Sequence, residues 1–433
     1  MTPDAVAADD VAVRNPVRLI AAGTIGNVLE WYDFAIYGYF AVSIGLTFFP
    51  QADPLAQVLA AFGVFAVGYI VRPLGGAVAG HIGDRYGRRV AMTFSVVGMA
   101  VPTFLVGILP GYATIGIFAP ILLTLLRAIQ GLSVGGEGPT AFTFMIESAS
   151  SRRRGLVAAV AISSNHVGML MGSGVGALLA GVLPVDQLHD WGWRLPFLSG
   201  LVLGVIGFLL RRHLREPAAP AGHRAQSALA EVLRHHKWLI ARLAGLCAFG
   251  AVSFYLMFLY IVSWLQLIDG VPPAQALGIN TISMVVMIFA ILLAGTLSDL
   301  IGRKPVLLAG VVIGLVGAVP FLWLMHHPAP ALILLGQLGF VLATAMAMGV
   351  QPAVMVETTP PAVRCTVIAL GFNAANGLMG GLAPLAATWL VHRTGMDLSP
   401  AFLVMAAAAV SLVVVLSFRE TRPQAAERRL AHS

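Results

Sequence analysis

Seven ionisable or polar side chains stand in stretches of sequence otherwise too apolar to hold them. Glu30, Asp33 and Tyr37 share one stretch, Arg72 lies in the next, and Arg127, Gln130 and Glu137 share a third. A charge placed among lipid tails costs at least about 2.5 kcal/mol, so each marks a functional or a tightly paired position. At 100° per residue, Glu30, Asp33 and Tyr37 fall within about 60° of one another on a helix, and Arg127, Gln130 and Glu137 within about 80°. Each helix therefore presents one polar stripe, which must face protein or water.

Stripes of opposite charge can share one cavity, and Asp33 with Arg127 is the pairing the sequence favours. An arginine beside a buried carboxylate favours the ionised form, and its withdrawal in a dry site favours the protonated form. Proton occupancy then follows conformation. The alternative is a static structural ion pair, and Glu30 and Glu137 are rival proton carriers.

Arg72 lies near Gly68 and Gly76, where small residues leave space for a guanidinium. Its planar fork suits a carboxylate substrate, while the bland alternative is snorkelling toward the nearer membrane face. Asn165 and His166 sit in the middle of another apolar stretch, and Asn373 and Asn376 occupy matching places later in the chain. A free imidazole titrates near neutral pH, which suits proton transfer, but a hydrogen-bonded packing role is as natural for a buried histidine. Tyr37, Arg72, Gln130, Asn165, His166, Asn373 and Asn376 form the expected substrate-binding set. Tyr255, Tyr260 and Gln266 are further candidates to close the site, with packing as their simpler explanation.

The elements that must position these groups are membrane spans. The 433 residues are 58% hydrophobic and only 10% charged, with a mean hydropathy of +0.87, far too apolar for a domain with a wet surface. A helix needs about 20 apolar residues to cross the hydrocarbon core. Such stretches are read at 18–48, 55–80, 88–110, 114–147, 155–183 and 193–211, and again at 238–268, 273–298, 304–325, 329–357, 363–391 and 398–418. Those longer than a bilayer requires are expected to tilt or extend beyond it.

Of the 26 Lys and Arg, 21 fall on one side of these spans, which predicts that both termini and the linker at 212–237 are cytoplasmic. Because the charges are dealt out in small clusters, the basic balance suggests topology and contact with anionic lipid rather than nucleic acid. Trp191, Trp193, Trp238, Trp264, Trp323 and Trp389 all fall near span ends, as expected for interfacial anchors; Trp31 does not. The polar, acidic Met1–Pro16 segment does not read as a cleaved signal. Cys247 and Cys365 have no metal-ligand spacing around them and are expected to be free thiols.

The chain repeats itself. Gly80-His-Ile-Gly-Asp84-Arg85-Tyr-Gly87-Arg88-Arg89 follows the second span, and Gly295-Thr-Leu-Ser-Asp299-Leu-Ile-Gly302-Arg303-Lys304 follows the eighth, 215 positions later. Glu147 and Arg154 recur as Glu357 and Arg364 at an offset of 210. Two landmarks at nearly one spacing indicate duplication, and six-helix halves joined by a charged linker are a known architecture of secondary transport.

The loop string at Gly80 to Arg89 resembles the signature of the major facilitator superfamily, and the resemblance extends over nearly the whole chain. Within it, Gly26-Asn27…Glu30-Trp31-Tyr-Asp33…Tyr37-Gly38, Arg72-Pro73-Leu-Gly75-Gly76 and Arg127-Ala-Ile-Gln130-Gly131…Gly135-Gly136-Glu137 resemble the metabolite:proton symporter family. The resemblance implies an all-α membrane protein of twelve transmembrane helices in two pseudo-symmetric six-helix halves. It also implies a cytoplasmic latch built from Asp84, Arg85, Arg88, Arg89, Glu147, Arg154, Asp299, Arg303, Glu357 and Arg364. A carboxylate at Asp84 or Asp299 is suited to face the N-terminal dipole of a helix in the other half. The simpler view is that these charges only set topology, and Leu300, which stands where the first copy has Arg85, suggests a weaker second latch.

No Gly-x-x-x-x-Gly-Lys-Ser/Thr string is present, nor a His-Glu-x-x-His or Gly-x-Ser-x-Gly set, so neither ATP-driven pumping nor enzymatic catalysis is expected. A receptor would need a signalling domain outside the bilayer, and the residues after Phe418 show no heptads. The expected function is proton-coupled symport of a small organic acid or zwitterion by alternating access. The resemblance supplies that substrate class, from carboxylates, dicarboxylates and tricarboxylates to betaine and proline. The alternative is a proton-driven efflux antiporter of the same fold, which the helix-5 glycines, lacking an adjacent Gly-Pro pair, weakly disfavour.

The expected division is a tail at 1–17, a six-helix bundle at 18–211, a linker at 212–237, a second bundle at 238–418 and a tail at 419–433. A monomer in the inner membrane is expected, binding its substrate, protons and lipids, without cofactor, metal or nucleic acid.

Overall fold

The computed structural model describes residues 16–50, 53–86, 88–133, 142–143, 145–147, 149–150, 152–211 and 234–421. Among the described residues there is no strand, and the helices follow one another in the order the hydropathy requires. The first half contains α1 (Pro16–Tyr39, continued past Phe40 by a short helix, Ala41–Phe48), α2 (Pro54–Tyr86) and α3 (Arg88–Ile108). It goes on with α4 (Phe118–Ser133), α5 (Arg154–Val182) and α6 (Arg194–Arg211). The second half contains α7 (Lys237–Leu267), α8 (Pro273–Ile301), α9 (Arg303–Met325), α10 (Pro330–Thr358), α11 (Arg364–Thr394) and α12 (Ser399–Ser417).

Among the described residues, eight of these (part of α2, then α5 and α7 to α12) are long and apolar enough to cross a bilayer. Shorter apolar helices over Thr93–Ile108, Phe118–Ser133 and Arg194–Ile206 fall in α3, α4 and α6. The architecture is an all-α membrane protein of twelve helices in two six-helix halves.

Local chemistry sets several helix ends. Pro273 and Pro330 occupy first-turn positions, where the missing N–H has no intrahelical partner to lose. Gly395 closes α11 in the left-handed conformation, its N–H bonded to the Val391 carbonyl. Gly302, with φ +112°, makes the sharp turn between α8 and α9, and a Cβ there would lie 2.7 Å from the Glu420 carboxylate. That carboxylate in turn accepts the N–H groups of Arg303 at 2.8 Å and Lys304 at 3.0 Å, capping α9 from the chain beyond α12.

Two interruptions were not legible in the hydropathy. α7 widens into a π-helical stretch over Tyr255–Tyr260, and α11 does so over Ala374–Gly380. Such bulges concentrate at functional positions. Both occur where α7 and α11 meet α1 and α2 across the seam between the halves.

The core is aromatic at that seam. Trp31, Phe34, Phe62, Phe65 and Tyr69 of the first half pack in one cluster with Phe254, Tyr255, Phe258 and Tyr260 of the second. Large apolar side chains such as Val182, Phe289, Leu293, Val316 and Val413 point outward, as a lipid-facing surface requires. Trp191, Trp238, Trp323 and Trp389 are exposed, but Trp193 and Trp264 are turned fully inward. The Trp264 indole donates to the Asp397 carbonyl at 2.9 Å, so these two rings serve packing rather than the interface. Cys247 is buried and Cys365 exposed, both as free thiols.

Candidate functional site

Close backbone approach places the polar residues of the first half. A Cβ on Gly131 of α4 would come within 2.1 Å of the Gly68 carbonyl of α2, so only glycine lets these two helices cross there. On α5, a Cβ on Gly168 would lie 2.5 Å from the Val28 carbonyl of α1. The helix-5 glycines thus have a packing function of their own. With α1 drawn against its neighbours, its polar stripe divides between two of them.

Asp33 faces α4 and α3. Its carboxylate forms an ion pair with Arg127 and accepts the Gln130 amide N–H at 2.8 Å, with the Thr103 hydroxyl at 2.7 Å. The pair is dry, with side chains 2% and 1% exposed. Tyr37 lies one turn further on, with its ring 3.9 Å from the Arg127 guanidinium and its hydroxyl donating to the Ala61 carbonyl at 2.9 Å. The structure therefore brings Asp33, Tyr37, Arg127 and Gln130 into one network. Thr103 was not among the expected residues; a lone threonine in an apolar span carries no signal in sequence.

Glu30 faces α2 instead. Its Oε1 accepts from Arg72 Nη2 at 2.7 Å, and this pair retains more exposure than the first, 15% for Glu30 and 9% for Arg72. The Arg72 guanidinium lies 4.5 Å from the Phe34 ring centroid and 4.2 Å from that of Tyr69. Arg72 is thus turned into the bundle against aromatic faces, not toward a headgroup layer. Its Nε is buried with no hydrogen-bond partner among the described residues.

The second half reaches this point through Tyr255, whose hydroxyl is 2.6 Å from that of Tyr69. Tyr255 also packs against Trp31, ring centroids 6.1 Å apart. Small residues of α11 cover the junction: a Cβ on Gly381 would strike the Tyr69 ring at 2.5 Å, and one on Gly380 the Tyr255 ring at 2.6 Å. Tyr255 therefore belongs to the seam, while Tyr260 packs edge-on against Phe62 and Gln266 bonds within its own helix. Tyr69 and Phe34 were missed, because aromatic residues in apolar spans look like ordinary packing.

His166 lies fully buried on α5, its Nδ1 3.0 Å from the Ile162 carbonyl and its ring against Phe254 at 4.9 Å. Its Nε2 meets no partner among the described residues. Asn165 is buried beside it. Asn376, also buried, donates to the Phe372 carbonyl at 3.1 Å, and Asn373 is half-buried on the same helix. The structure does not join these four to either ion pair by a direct hydrogen bond among the bonds described.

At one membrane face the second copy of the repeated loop is engaged. Asp299 accepts the N–H groups of Gly155 and Leu156 at 2.9 Å each, which is the first turn of α5 in the other half. Arg303 holds Asp299 at 2.6 Å and Glu357 at 3.1 Å. Glu147 pairs across the seam with Arg364 at 2.5 Å. An open cleft of about 520 Å³ is lined by Glu147, Arg154, Val356, Glu357, Arg364 and Thr421. Glu137 and the side chains of Asp84, Arg85, Arg88 and Arg89 lie outside the described residues.

The halves are also tied toward the opposite face. Asp53, just before α2, is 2.8 Å from His392 at the end of α11. Ser173 of α5 is 2.7 Å from Thr281 and 3.2 Å from Asn280 of α8, and Gln337 of α10 donates to Asn280 at 2.8 Å. Single hydroxyls and amides in apolar spans gave no hint of this second bridge. Among the described residues no cluster of His, Cys, Asp and Glu is suited to a metal.

Comparison with known proteins agrees with this architecture. The family model for sugar (and other) transporters matches residues 19–219, and that for the major facilitator superfamily matches residues 262–433. A proline/betaine transporter of Salmonella typhimurium is 33% identical over 432 residues, covering 96% of this chain and 86% of that protein. A glycine betaine/proline/ectoine/pipecolic acid transporter of Dickeya dadantii is 34% identical over 433 residues, with the same coverage. Among solved structures, a D-xylose-proton symporter superposes with a TM-score of 0.73 at 21% identity, covering 92% of this chain and 96% of that one. The inward-open xylose transporter of E. coli gives 0.71 at 19% identity, covering 94% and 97%. At such identities these two structures establish the fold alone.

Proposed function

The chain belongs to the major facilitator superfamily, and we propose that it is a proton-coupled symporter that takes up a small zwitterion of the betaine and proline class. It is a multi-pass inner-membrane transporter of a small molecule and not an enzyme. The finer reading rests on one observation above all: two buried Arg–carboxylate pairs, Asp33–Arg127 and Glu30–Arg72, hang from adjacent turns of α1 beside the seam. It is supported by the relatives at 33% and 34% identity, a proline/betaine transporter and a glycine betaine/proline/ectoine/pipecolic acid transporter.

In this reading the dry pair is the proton switch. Arg127, Gln130 and Thr103 are all directed at Asp33, so a shift of α4 against α1 breaks the pair, and proton binding is coupled to that movement. The substrate carboxylate goes to Arg72, whose fork and buried Nε are suited to a second acceptor. Tyr37 and Gln130 act by holding Arg127 and Asp33. His166, Asn165, Asn373 and Asn376 line the deeper part of the path on α5 and α11. Glu137 is retained as a further proton site.

Alternating access follows from breaking one set of seam contacts at a time. Asp299 on the α5 N-terminus and Glu147 with Arg364 close one face, and Asp53 with His392 helps to close the other. We assign the first face, with both termini and the 212–237 linker, to the cytoplasm, and take the working unit to be a monomer of bundles 18–211 and 238–418 with tails at 1–17 and 419–433. Asp84, Arg85, Arg88, Arg89 and Arg154 complete the latch on this reading.

The test is uptake of radiolabelled glycine betaine and proline into proteoliposomes, each with and without an imposed pH gradient. Accumulation driven by an inward proton gradient is expected. Uptake indifferent to the gradient would remove the symport reading, and substrate-driven proton flow in the opposite direction would establish the antiporter instead.

A further inference from the structure

His166 is 0% exposed on α5, and its two ring nitrogens have different surroundings. Nδ1 lies 3.0 Å from the Ile162 carbonyl, one turn back on the same helix. A carbonyl oxygen can only accept, so Nδ1 carries the hydrogen of that bond, and in this tautomer Nε2 is an acceptor with a bare lone pair. Nε2 is buried and has no hydrogen-bond partner among the described residues. Asn376, at the matching place in the second half, is anchored in the same way, its amide N–H given to the Phe372 carbonyl four residues back. An unmet acceptor in a dry place is costly unless a ligand supplies the donor.

The neighbours of the ring restrict what that ligand can be. The imidazole packs against the Phe254 ring of α7 at 4.9 Å, and Phe254 in turn meets Trp31 at 5.9 Å and Tyr255 at 5.8 Å. Through Tyr255 and Tyr69 the same run of rings reaches the Arg72 guanidinium. Aromatic faces attract cations, including quaternary ammonium groups. On α5, a Cβ on Gly168 would lie 2.9 Å from Trp31 Cβ, so α1 is held close to His166 at this level. Phe254 is the residue just before the π-helical stretch Tyr255–Tyr260, a place where α7 can change its winding. Such a change carries the Phe254 ring off the imidazole and admits a ligand between α1, α5 and α7.

A lone pair flanked by aromatic faces separates two kinds of substrate cation. A secondary ammonium, such as that of proline, has N–H groups and can give one to Nε2. A quaternary ammonium, such as that of glycine betaine, is drawn to the same rings but has no N–H, so it leaves the acceptor unmet. A buried polar group that bonds one ligand disfavours the analogue lacking the matching group.

We propose that His166 is a specificity-determining residue whose Nε2 accepts a hydrogen bond from the substrate ammonium, favouring proline-like substrates over fully N-methylated ones. This rests on the betaine and proline reading above, which by itself does not rank the two.

The test compares L-proline, N-methyl-L-proline and N,N-dimethyl-L-proline, which share the ring and the carboxylate and differ in how many N–H groups the methyls have replaced. Binding to the purified full-length chain is measured by calorimetric titration, with size-exclusion chromatography to check each variant. The wild type is expected to bind the first two comparably and the dimethyl compound, which has no N–H, about tenfold or more weakly. His166→Leu, which has no acceptor, is expected to lose that step by weakening the first two ligands. His166→Gln, whose amide oxygen can accept, is expected to keep it.

A folded His166→Leu that keeps the step overturns this inference, because the step is then one of bulk, and leaves the substrate class standing. A wild type that binds all three equally, or that loses affinity at the first methyl and not the second, overturns it without any variant. A wild type that binds none of the three and no glycine betaine overturns the substrate class as well.

Discussion

Asp299 belongs to the second half, yet both of its carboxylate oxygens are bonded to the first: Oδ1 to the Gly155 N–H and Oδ2 to the Leu156 N–H, each at 2.9 Å. It caps a helix to which it is not joined. An anion at a helix N-terminus is stabilised by the aligned peptide dipoles, by about 0.3–1 kcal/mol at an exposed site and up to about 2 kcal/mol where partly buried. Asp299→Asn keeps the shape and removes the charge, so it should shift the conformational equilibrium toward opening of this face by roughly tenfold. Labelling of a cysteine placed at Ala161, in a chain lacking Cys247 and Cys365, should be several-fold faster in Asp299→Asn than in its parent; equal rates would leave the cap without a gating role.

Removing the dry carboxylate tests coupling. Asp33→Asn leaves Arg127 buried opposite a neutral amide, which is expected to cost about 3–5 kcal/mol of stability as well as the proton site. Accumulation of glycine betaine under a pH gradient should fall more than tenfold while exchange of internal for external substrate persists. Full accumulation in Asp33→Asn would transfer the proton to another carboxylate.

At the substrate side, Arg72→Lys retains the positive charge but not the fork. The half-saturation concentration for glycine betaine is expected to rise more than tenfold, with a smaller effect on maximal rate. Unchanged kinetics of uptake would show that Arg72 serves only to pack Glu30 against Phe34 and Tyr69.

The helix crossing that aligns α2 with α4 is open to a stability measurement. A Cβ on Gly131 would lie 2.1 Å from the Gly68 carbonyl, backbone that cannot swing aside. Gly131→Ala should destabilise the solubilised protein by about 1–3 kcal/mol, seen as a lower Tm, and reduce transport by displacing Arg127 from Asp33.

The tie at the other face has a definite pH signature. The hydrogen bond from His392, with the Leu55 N–H, holds the Asp53 carboxyl below its usual value of 3.8. A depressed carboxylate contributes fully above its unfolded value, and that contribution is lost only as pH falls through the lower folded one. Asp53 therefore stays ionised throughout pH 5 to 8, and Asp53→Asn, not acidification acting on Asp53, should loosen this contact. The contact is exposed, so the effect on Tm should be small, while a cysteine introduced near the end of α11 should label faster.

Much of this protein was determined by its sequence alone, for a reason particular to membranes. Backbone groups in lipid must be satisfied within a helix, so apolar stretches of sufficient length can only be spans, and those read in the chain match α1 to α12 to within a few residues over most of their ends. Ionisable residues in such spans are rare enough to be noticed individually, which is why Asp33, Arg127, Glu30 and Arg72 stood out. Helical geometry placed Glu30 and Asp33 on one stripe. The repeated loop suggested that Asp84 or Asp299 could face a helix of the other half, with a weaker second latch expected from Leu300; the structure has Asp299 of that second copy bonded to Gly155 and Leu156.

Tertiary structure decided the partners. The polar stripes suggested Asp33 with Arg127, but a stripe about 60° wide does not say that Glu30 turns instead to Arg72; that partner is set by the packing of α1, α2 and α4, which cross closely at Gly68 and Gly131. Tyr69 and Tyr255, 186 positions apart, acquire meaning only when the halves are brought together, because an aromatic residue in an apolar span has no distinguishing mark until its hydroxyl finds a partner. The same holds for Thr103, for the Ser173, Asn280 and Gln337 bridge, and for the inward turn of Trp193 and Trp264. Burial and pairing are properties of the packed bundle, and the helical period of one segment carries no information about the face of another.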